Sequence, residues 1–264
     1  MNARDHWVQQ AAGRVFARSW QPDEADHEGL APIVMFHDSL GSVELWRQFP
    51  ELLCRGTGRR VFAFDRLGFG KSDARSDRLS ARFVAEEARI YFPQLRRQLG
   101  IDRFIALGHS VGGAMAIECA AQFPDGCEAL VTIAAQVFAE ETTLGGIRAA
   151  REQFADPVQF DRLARYHGDK TRWVLDAWID SWLDPAFADW SLRSVLPNVV
   201  CPALAIHGNT DEYGTTIHPK IIAELSGGSV RPVIMAGVGH LPHREQPDAV
   251  VALIGDFARA LRHP

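Results

Sequence analysis

The sequence predicts an α/β protein, with a mostly parallel eight-stranded sheet covered by helices on both faces. Three observations predict it. Short, unbroken apolar runs such as Pro32-Ile33-Val34-Met35-Phe36 and Ala129-Leu130-Val131-Thr132-Ile133-Ala134 suit strands buried on both faces. Longer stretches with helical apolar spacing alternate with these runs, as crossover helices should. Several runs also end in a turn cluster rich in Gly, His and Asp, which places those clusters at one edge of the sheet.

Each element follows from local pattern. Trp7-Val8-Gln9-Gln10-Ala11 and Arg14-Val15-Phe16-Ala17-Arg18-Ser19-Trp20 flank Gly13 and predict an antiparallel hairpin. The polar residues 21–29 predict a surface loop. After the run at 32–36, residues 43–54 carry Leu45, Trp46, Phe49, Leu52 and Leu53 at helical spacing. Arg60-Val61-Phe62-Ala63-Phe64 is the next strand, and residues 81–99 predict a helix that Pro93 should kink or interrupt. Arg103-Phe104-Ile105-Ala106 leads into a further helix, and the run at 129–134 follows it. Residues 137–197 then hold many aromatics but no convincing strand. Trp173, Ala177, Trp178 and Trp182 are spaced helically, so a mainly helical insertion is expected. The alternation resumes with Pro202-Ala203-Leu204-Ala205-Ile206-His207-Gly208, a helix over 219–225, the strand Arg231-Pro232-Val233-Ile234-Met235 and a last helix over 247–261. There is no internal repeat and no low-complexity tract.

Bulk properties narrow the function. At 264 residues the chain has room for one large domain or two small ones, and 47% hydrophobic with 23% charged residues is a globular composition. The net charge of −5 and the lack of a basic block argue against nucleic acid as a partner. No apolar run approaches the ~18 residues of a membrane span, and the first residues lack a signal-like apolar core, so a cytoplasmic protein without membrane association is expected. The four cysteines, Cys54, Cys119, Cys127 and Cys201, have no C-x-x-C spacing and read as buried reduced thiols.

The chemistry centres on Leu107-Gly108-His109-Ser110-Val111-Gly112-Gly113. A serine with glycines two residues away on each side, at a strand-to-helix junction, is the pattern of a nucleophile elbow. So tight a turn strains the serine backbone and leaves no room for side chains at the glycines. In return, the hydroxyl projects above the sheet and the helix N-terminus offers N–H groups to a developing negative charge. The bland reading is a glycine-rich helix start with a serine near its N-cap. A serine nucleophile also needs a base, and the base needs an orienting group. Gly237-Val238-Gly239-His240 follows the last strand, and His207-Gly208-Asn209-Thr210-Asp211-Glu212 follows the one before. His240 and Asp211 should therefore share the edge that carries Ser110.

The order Ser, Asp, His, each on a loop after a strand, resembles the α/β-hydrolase fold superfamily. The resemblance extends over nearly the whole chain through His37-Asp38-Ser39-Leu40-Gly41, Asp65-Arg66-Leu67-Gly68-Phe69-Gly70-Lys71-Ser72, the 207–211 segment and Gly239-His240. It implies a core of residues 1–136 and 198–264, with 137–197 as a helical lid. It also implies Ser110 as nucleophile, His240 as general base and then acid, and Asp211 rather than Glu212 as the orienting acid. The N–H groups of Ser39 and Val111 would form the oxyanion hole. His109, Trp173 and Trp178 are the candidate pocket residues. The implied activity is hydrolysis of a small ester, lactone or thioester through an acyl-enzyme, on a small-molecule substrate and without a cofactor. Hydrolysis of an amide, or of a C–C bond in a ring-cleavage product, shares the same triad. A non-catalytic ligand-binding module would keep the fold without turnover. Nothing in the pattern indicates an oligomeric state.

Asp38 departs from the family pattern, because many relatives have Gly after the histidine. A carboxylate aimed at the oxyanion would oppose its charge, so Asp38 should point away, toward Arg66 or a backbone N–H. With Asn in its place the local pattern would be similar to enol-lactone hydrolases of aromatic catabolism. His243 lies three residues from His240, but no third ligand accompanies them, so no metal site is expected. Gly68-Phe69-Gly70 lacks the rest of a phosphate-binding motif and reads as a structural turn.

Overall fold

The computed structural model describes residues 1–23 and 29–261, so residues 24–28 of the expected surface loop lie outside the described residues. β1 (Asn2–Gln10) and β2 (Gly13–Gln21) form the antiparallel hairpin, and β2 pairs antiparallel with β4 (Val61–Phe64). The other strands are β3 (Ile33–Phe36), β5 (Phe104–His109), β6 (Cys127–Ile133), β7 (Ala203–Gly208) and β8 (Val230–Met235), joined by parallel pairings throughout. The strand order is β1-β2-β4-β3-β5-β6-β7-β8. The chain runs outward from β3 to β4 and then returns to β5 on the other side of β3. That reversal opens a crevice beyond the C-terminal ends of β3 and β5, where open α/β sheets bind ligands.

Both faces of the sheet are covered, and the two-residue period of a strand sorts its side chains between them. Along β3, Ile33 and Met35 enter one core while Val34 and Phe36 enter the other. Ile105 and Leu107 of β5 separate in the same way from Phe104 and Ala106. α1 (Phe49–Thr57) and α9 (Pro247–Ala260) close the first core through Leu53, Val250 and Ile254. The second core takes α2 (Phe83–Glu86), α3 (Phe92–Leu99), α4 (Val111–Gln122) and α8 (Ile217–Leu225). All four cysteines are buried and unbridged.

Two helices differ from the sequence expectation. The helix expected over 43–54 is a short 3-10 turn, Glu44–Trp46, followed by α1, which starts at Phe49 with Pro50 in its first turn. Proline suits that first turn because its missing N–H would be unpaired there anyway. The helix expected over 81–99 is divided by a π turn, Glu87–Tyr91, in which the Phe92 N–H donates to Glu87 O five residues back. Pro93 follows at the start of α3 and has no N–H to continue the α pattern, so the interruption falls just before it.

Between β6 and β7 lie α5 (Glu141–Gln153), α6 (Pro157–His167) and α7 (Thr171–Leu183). An isolated bridge, Phe138 to Ser191, ties the two ends of this insertion together. Contacts from α6 and α7 also fasten it to the 65–72 loop. Lys170 Nζ donates to the carbonyls of Gly70 at 2.6 Å and of Ser72. His167 accepts from the Gly70 N–H at 2.9 Å and donates to Leu40 O at 3.0 Å.

Candidate active site

Ser110 sits between β5 and α4 with φ 55° and ψ −128°, a region that costs a non-glycine residue about 1–3 kcal/mol. Two contacts hold it there. Its N–H extends the sheet to Ile133 O at 2.9 Å, and its carbonyl takes the Gly113 N–H at 2.8 Å. A β-carbon on Gly108 would lie 2.0 Å from Gly112 O, so the strand can approach the helix this closely only as glycine. An N-cap serine would turn its hydroxyl back onto the first helical turn. Ser110 makes no such bond, and its Oγ donates instead to Gln136 Oε1 at 3.3 Å. Gln136 Nε2 donates to Tyr213 O at 3.4 Å, which fixes which end of the amide faces the serine.

The loops after β7 and β8 bring Asp211 and His240 together at the same edge. His240 Nδ1 lies 2.8 and 2.9 Å from the two carboxylate oxygens of Asp211. Nδ1 therefore carries the proton of that bond. Burial alone would raise Asp211, but the hydrogen bond and charge of His240, with the Tyr213 N–H at 2.7 Å, hold its carboxyl below the usual range. The His240 ring is flanked by Tyr213 at 4.9 Å and His109 at 5.0 Å between centroids. Glu212 lines the cavity but makes no hydrogen bond to His240 among the described residues.

The oxyanion candidates come from two loops. Val111 opens α4, so its N–H has no helical acceptor. Ser39 follows β3 and lines the same cavity. Its neighbour Asp38 is turned by two bonds, with Oδ1 accepting the Leu40 N–H at 2.8 Å and Oδ2 facing His109 Nδ1 at 3.2 Å. Arg66, one expected partner, reaches the Asp38 backbone carbonyl at 2.9 Å rather than its carboxylate. The Asp65 carboxylate takes the N–H groups of Val43 and Lys71 and so folds the Gly68–Gly70 turn back on itself.

A cavity of about 330 Å³ opens over Ser110. Asp38, His109, His240 and Arg244 stand on its polar side, and Thr143, Ile147, Leu163, Trp178 and Trp182 of the insertion form the opposite wall. Trp173, expected to line the pocket, does not. It packs against Phe69 at 5.5 Å, covers Gly68 and donates its indole N–H to Asp77 O at 3.1 Å. Five residues apart on one helix, Trp173 and Trp178 face different ways, whereas Trp178 and Trp182 share a face. Gln136, Tyr213 and Arg244 were not anticipated. The available signal was their place beyond the C-terminal ends of β6, β7 and β8. His243 is packed among Trp46, Phe49 and His109, and the described residues hold no cluster of His, Cys, Asp or Glu suited to a metal ion. No helix among them is long and apolar enough to cross a membrane.

The family model described as alpha/beta hydrolase fold matches residues 31–247. The chain belongs to that family. Among curated relatives, the alpha/beta hydrolase domain-containing protein VTE7 of Arabidopsis thaliana is 24% identical over 258 residues, covering 86% of this chain and 74% of its own length. Among solved structures, a bacterial membrane phospholipase A matches with a TM-score of 0.80 at 20% identity, over 99% of this chain and 87% of that one. Proline iminopeptidase from Mycobacterium smegmatis matches with a TM-score of 0.73 at 20% identity, over 98% of both chains. At such identities these two structures speak to the fold alone.

Proposed function

We propose that the protein is a serine hydrolase that cleaves a small ester, lactone or thioester through an acyl-enzyme. The observation that carries this reading is the placement of a strained serine at a strand–helix turn beside a His240–Asp211 pair, under a cavity closed by apolar side chains. A module that only binds ligand has no use for strain at Ser110. The division into a core of residues 1–136 and 198–264 and a lid of 137–197 belongs to the same proposal.

In the resting site the serine hydroxyl rests on Gln136, so attack begins when it turns toward His240 Nε2. Ser110 Oγ then bonds to the substrate carbonyl carbon as its proton passes to His240, and Asp211 stabilises the imidazolium. The carbonyl oxygen becomes an oxyanion held by the N–H groups of Ser39 and Val111. Losing one such donor typically costs about 10²–10³ in turnover. The C–O or C–S bond breaks as His240 protonates the leaving group. Water, deprotonated by His240, then attacks the acyl carbon and releases Ser110 and the acid.

The test is hydrolysis of p-nitrophenyl esters from acetate to decanoate by the wild type and by Ser110→Ala. The expected result is turnover in the wild type and a loss of at least about 10³-fold in the variant. A variant as active as the wild type would overturn Ser110 as the nucleophile. A wild type inert toward every ester, but active on amides or vinylogous diketones, would move the substrate class.

A further inference from the structure

We propose that Asp38 and His109 form a buried carboxylate–imidazolium pair, which anchors the backbone of His240 and cancels the negative charge beside the oxyanion donors. The inference rests on the hydrolase reading only for its effect on turnover. The proton count itself follows from geometry.

His109 lies at the end of β5 with its ring fully buried. Nε2 stands 2.8 Å from the carbonyl oxygen of His240, and Nδ1 stands 3.2 Å from Asp38 Oδ2. Both partners are acceptors. A neutral imidazole has one N–H and so can satisfy only one of them, leaving a nitrogen lone pair directed at the other acceptor. One more proton removes the conflict. It resides on His109, because Asp38 Oδ1 already accepts the Leu40 N–H and the Arg244 guanidinium adds a positive field, and both favour the ionised carboxylate.

Burial is the largest influence on His109 and leaves it below its ordinary value, with the Asp38 hydrogen bond opposing, while that same contact holds Asp38 below its usual range against its own burial. Geometry sets the proton count here, because both ring nitrogens face acceptors and only the doubly protonated ring satisfies the two. The other groups in reach do not supply the charge. His37 accepts the Arg66 N–H on Nε2, and His167 accepts the Gly70 N–H on Nδ1, so both are neutral. Burial holds His243 well below its ordinary value. Tyr213 is pushed up and stays a neutral phenol. His240 is committed to Asp211.

The pair explains how a carboxylate is tolerated beside the candidate oxyanion donors. It also makes Asp38→Asn a substitution that removes one proton and changes nothing else. The side-chain oxygen of the variant keeps the Leu40 N–H, its amide donates to Nδ1 of a neutral His109, and Nε2 still donates to His240 O.

The experiment is ¹⁵N-histidine NMR of the full chain at pH 7, on the wild type and Asp38→Asn, with His109 assigned by comparison with His109→Gln. The wild type is expected to show both His109 nitrogens protonated, and Asp38→Asn one protonated and one not. A neutral His109 in the wild type would overturn the pair. So would a His109 that keeps the same protonation in Asp38→Asn as in the wild type, because the variant leaves no carboxylate to hold the second proton. The NMR result stands even where no ester is cleaved, so failure of the hydrolase reading and failure of the pair are separable.

Discussion

Gly112 sets the tolerance of the whole active-site turn. A β-carbon there would lie 2.1 Å from Phe36 O, on the strand that leads to Asp38 and Ser39. The clash is with backbone, which cannot rotate aside as a side chain can. Gly112→Ala must therefore push α4 away from β3, separating Val111 from Ser39. Overpacking of this kind costs about 1–3 kcal/mol or more, which for a chain of this size is a fall in Tm of several degrees. Thermal melts and ester turnover should both decline in Gly112→Ala, with turnover falling further because the proposed oxyanion donors lose register. Wild-type stability together with wild-type turnover would show that the turn is not this tight.

At the scale of the element, the π turn Glu87–Tyr91 carries a second buried charge. Burial raises Glu87 from a usual value of 4.5 to about 7, with Arg66 and Arg75 opposing the rise. A raised acid favours the protonated form in the folded state, so the folded chain binds more protons than the unfolded one between these two values. Stability then falls as pH rises through that window, by at most about 3 kcal/mol. Below 4.5 both states are protonated and the penalty is absent. Glu87→Gln removes the ionisation. Its Tm relative to the wild type should therefore rise from pH 4.5 to pH 8, even though the variant forgoes the attraction of Arg66 at the upper end. A Tm difference that stays constant or shrinks over this range would place the Glu87 pKa near its ordinary value. Pro93 announced that this helix would be interrupted, but nothing in the pattern of residues 81–99 told that the break would take the form of a wide turn holding a buried acid.

Across the whole molecule, the features legible in the sequence are those set by short-range chemistry. Unbroken runs such as Ile33–Phe36 had to be strands buried on both faces, and the glycines around Ser110 had to mark a turn without room for side chains. The turn clusters after parallel strands then gathered Ser110, Asp211 and His240 at one sheet edge. The pocket was less legible, because its apolar wall depends on how α5, α6 and α7 pack onto the core. The helical spacing of Trp173, Trp178 and Trp182 identified a helix without telling which face met the cavity. The anchors that decide it, Lys170 on Gly70 O and His167 between Gly70 and Leu40, join residues about a hundred or more positions apart.

This packing makes the acyl preference a property of the assembled molecule. A cavity of about 330 Å³ is at the small end for ligand sites, so short acyl chains should be preferred and decanoate poorly used. Trp178 is buried and forms part of the far wall with Ile147 and Trp182. Trp178→Ala opens space there and leaves Ser110, His240 and Asp211 untouched. It should move the optimum of the p-nitrophenyl series toward longer chains by two carbons or more, with kcat/KM for acetate lowered by lost contact. A buried tryptophan truncated to alanine costs about 3–5 kcal/mol, so Trp178→Leu serves as a milder companion and should shift the optimum in the same direction by less. If neither variant changes the chain-length profile while both remain folded, the acyl group does not lie against α7, and the alcohol side of the substrate occupies that wall instead.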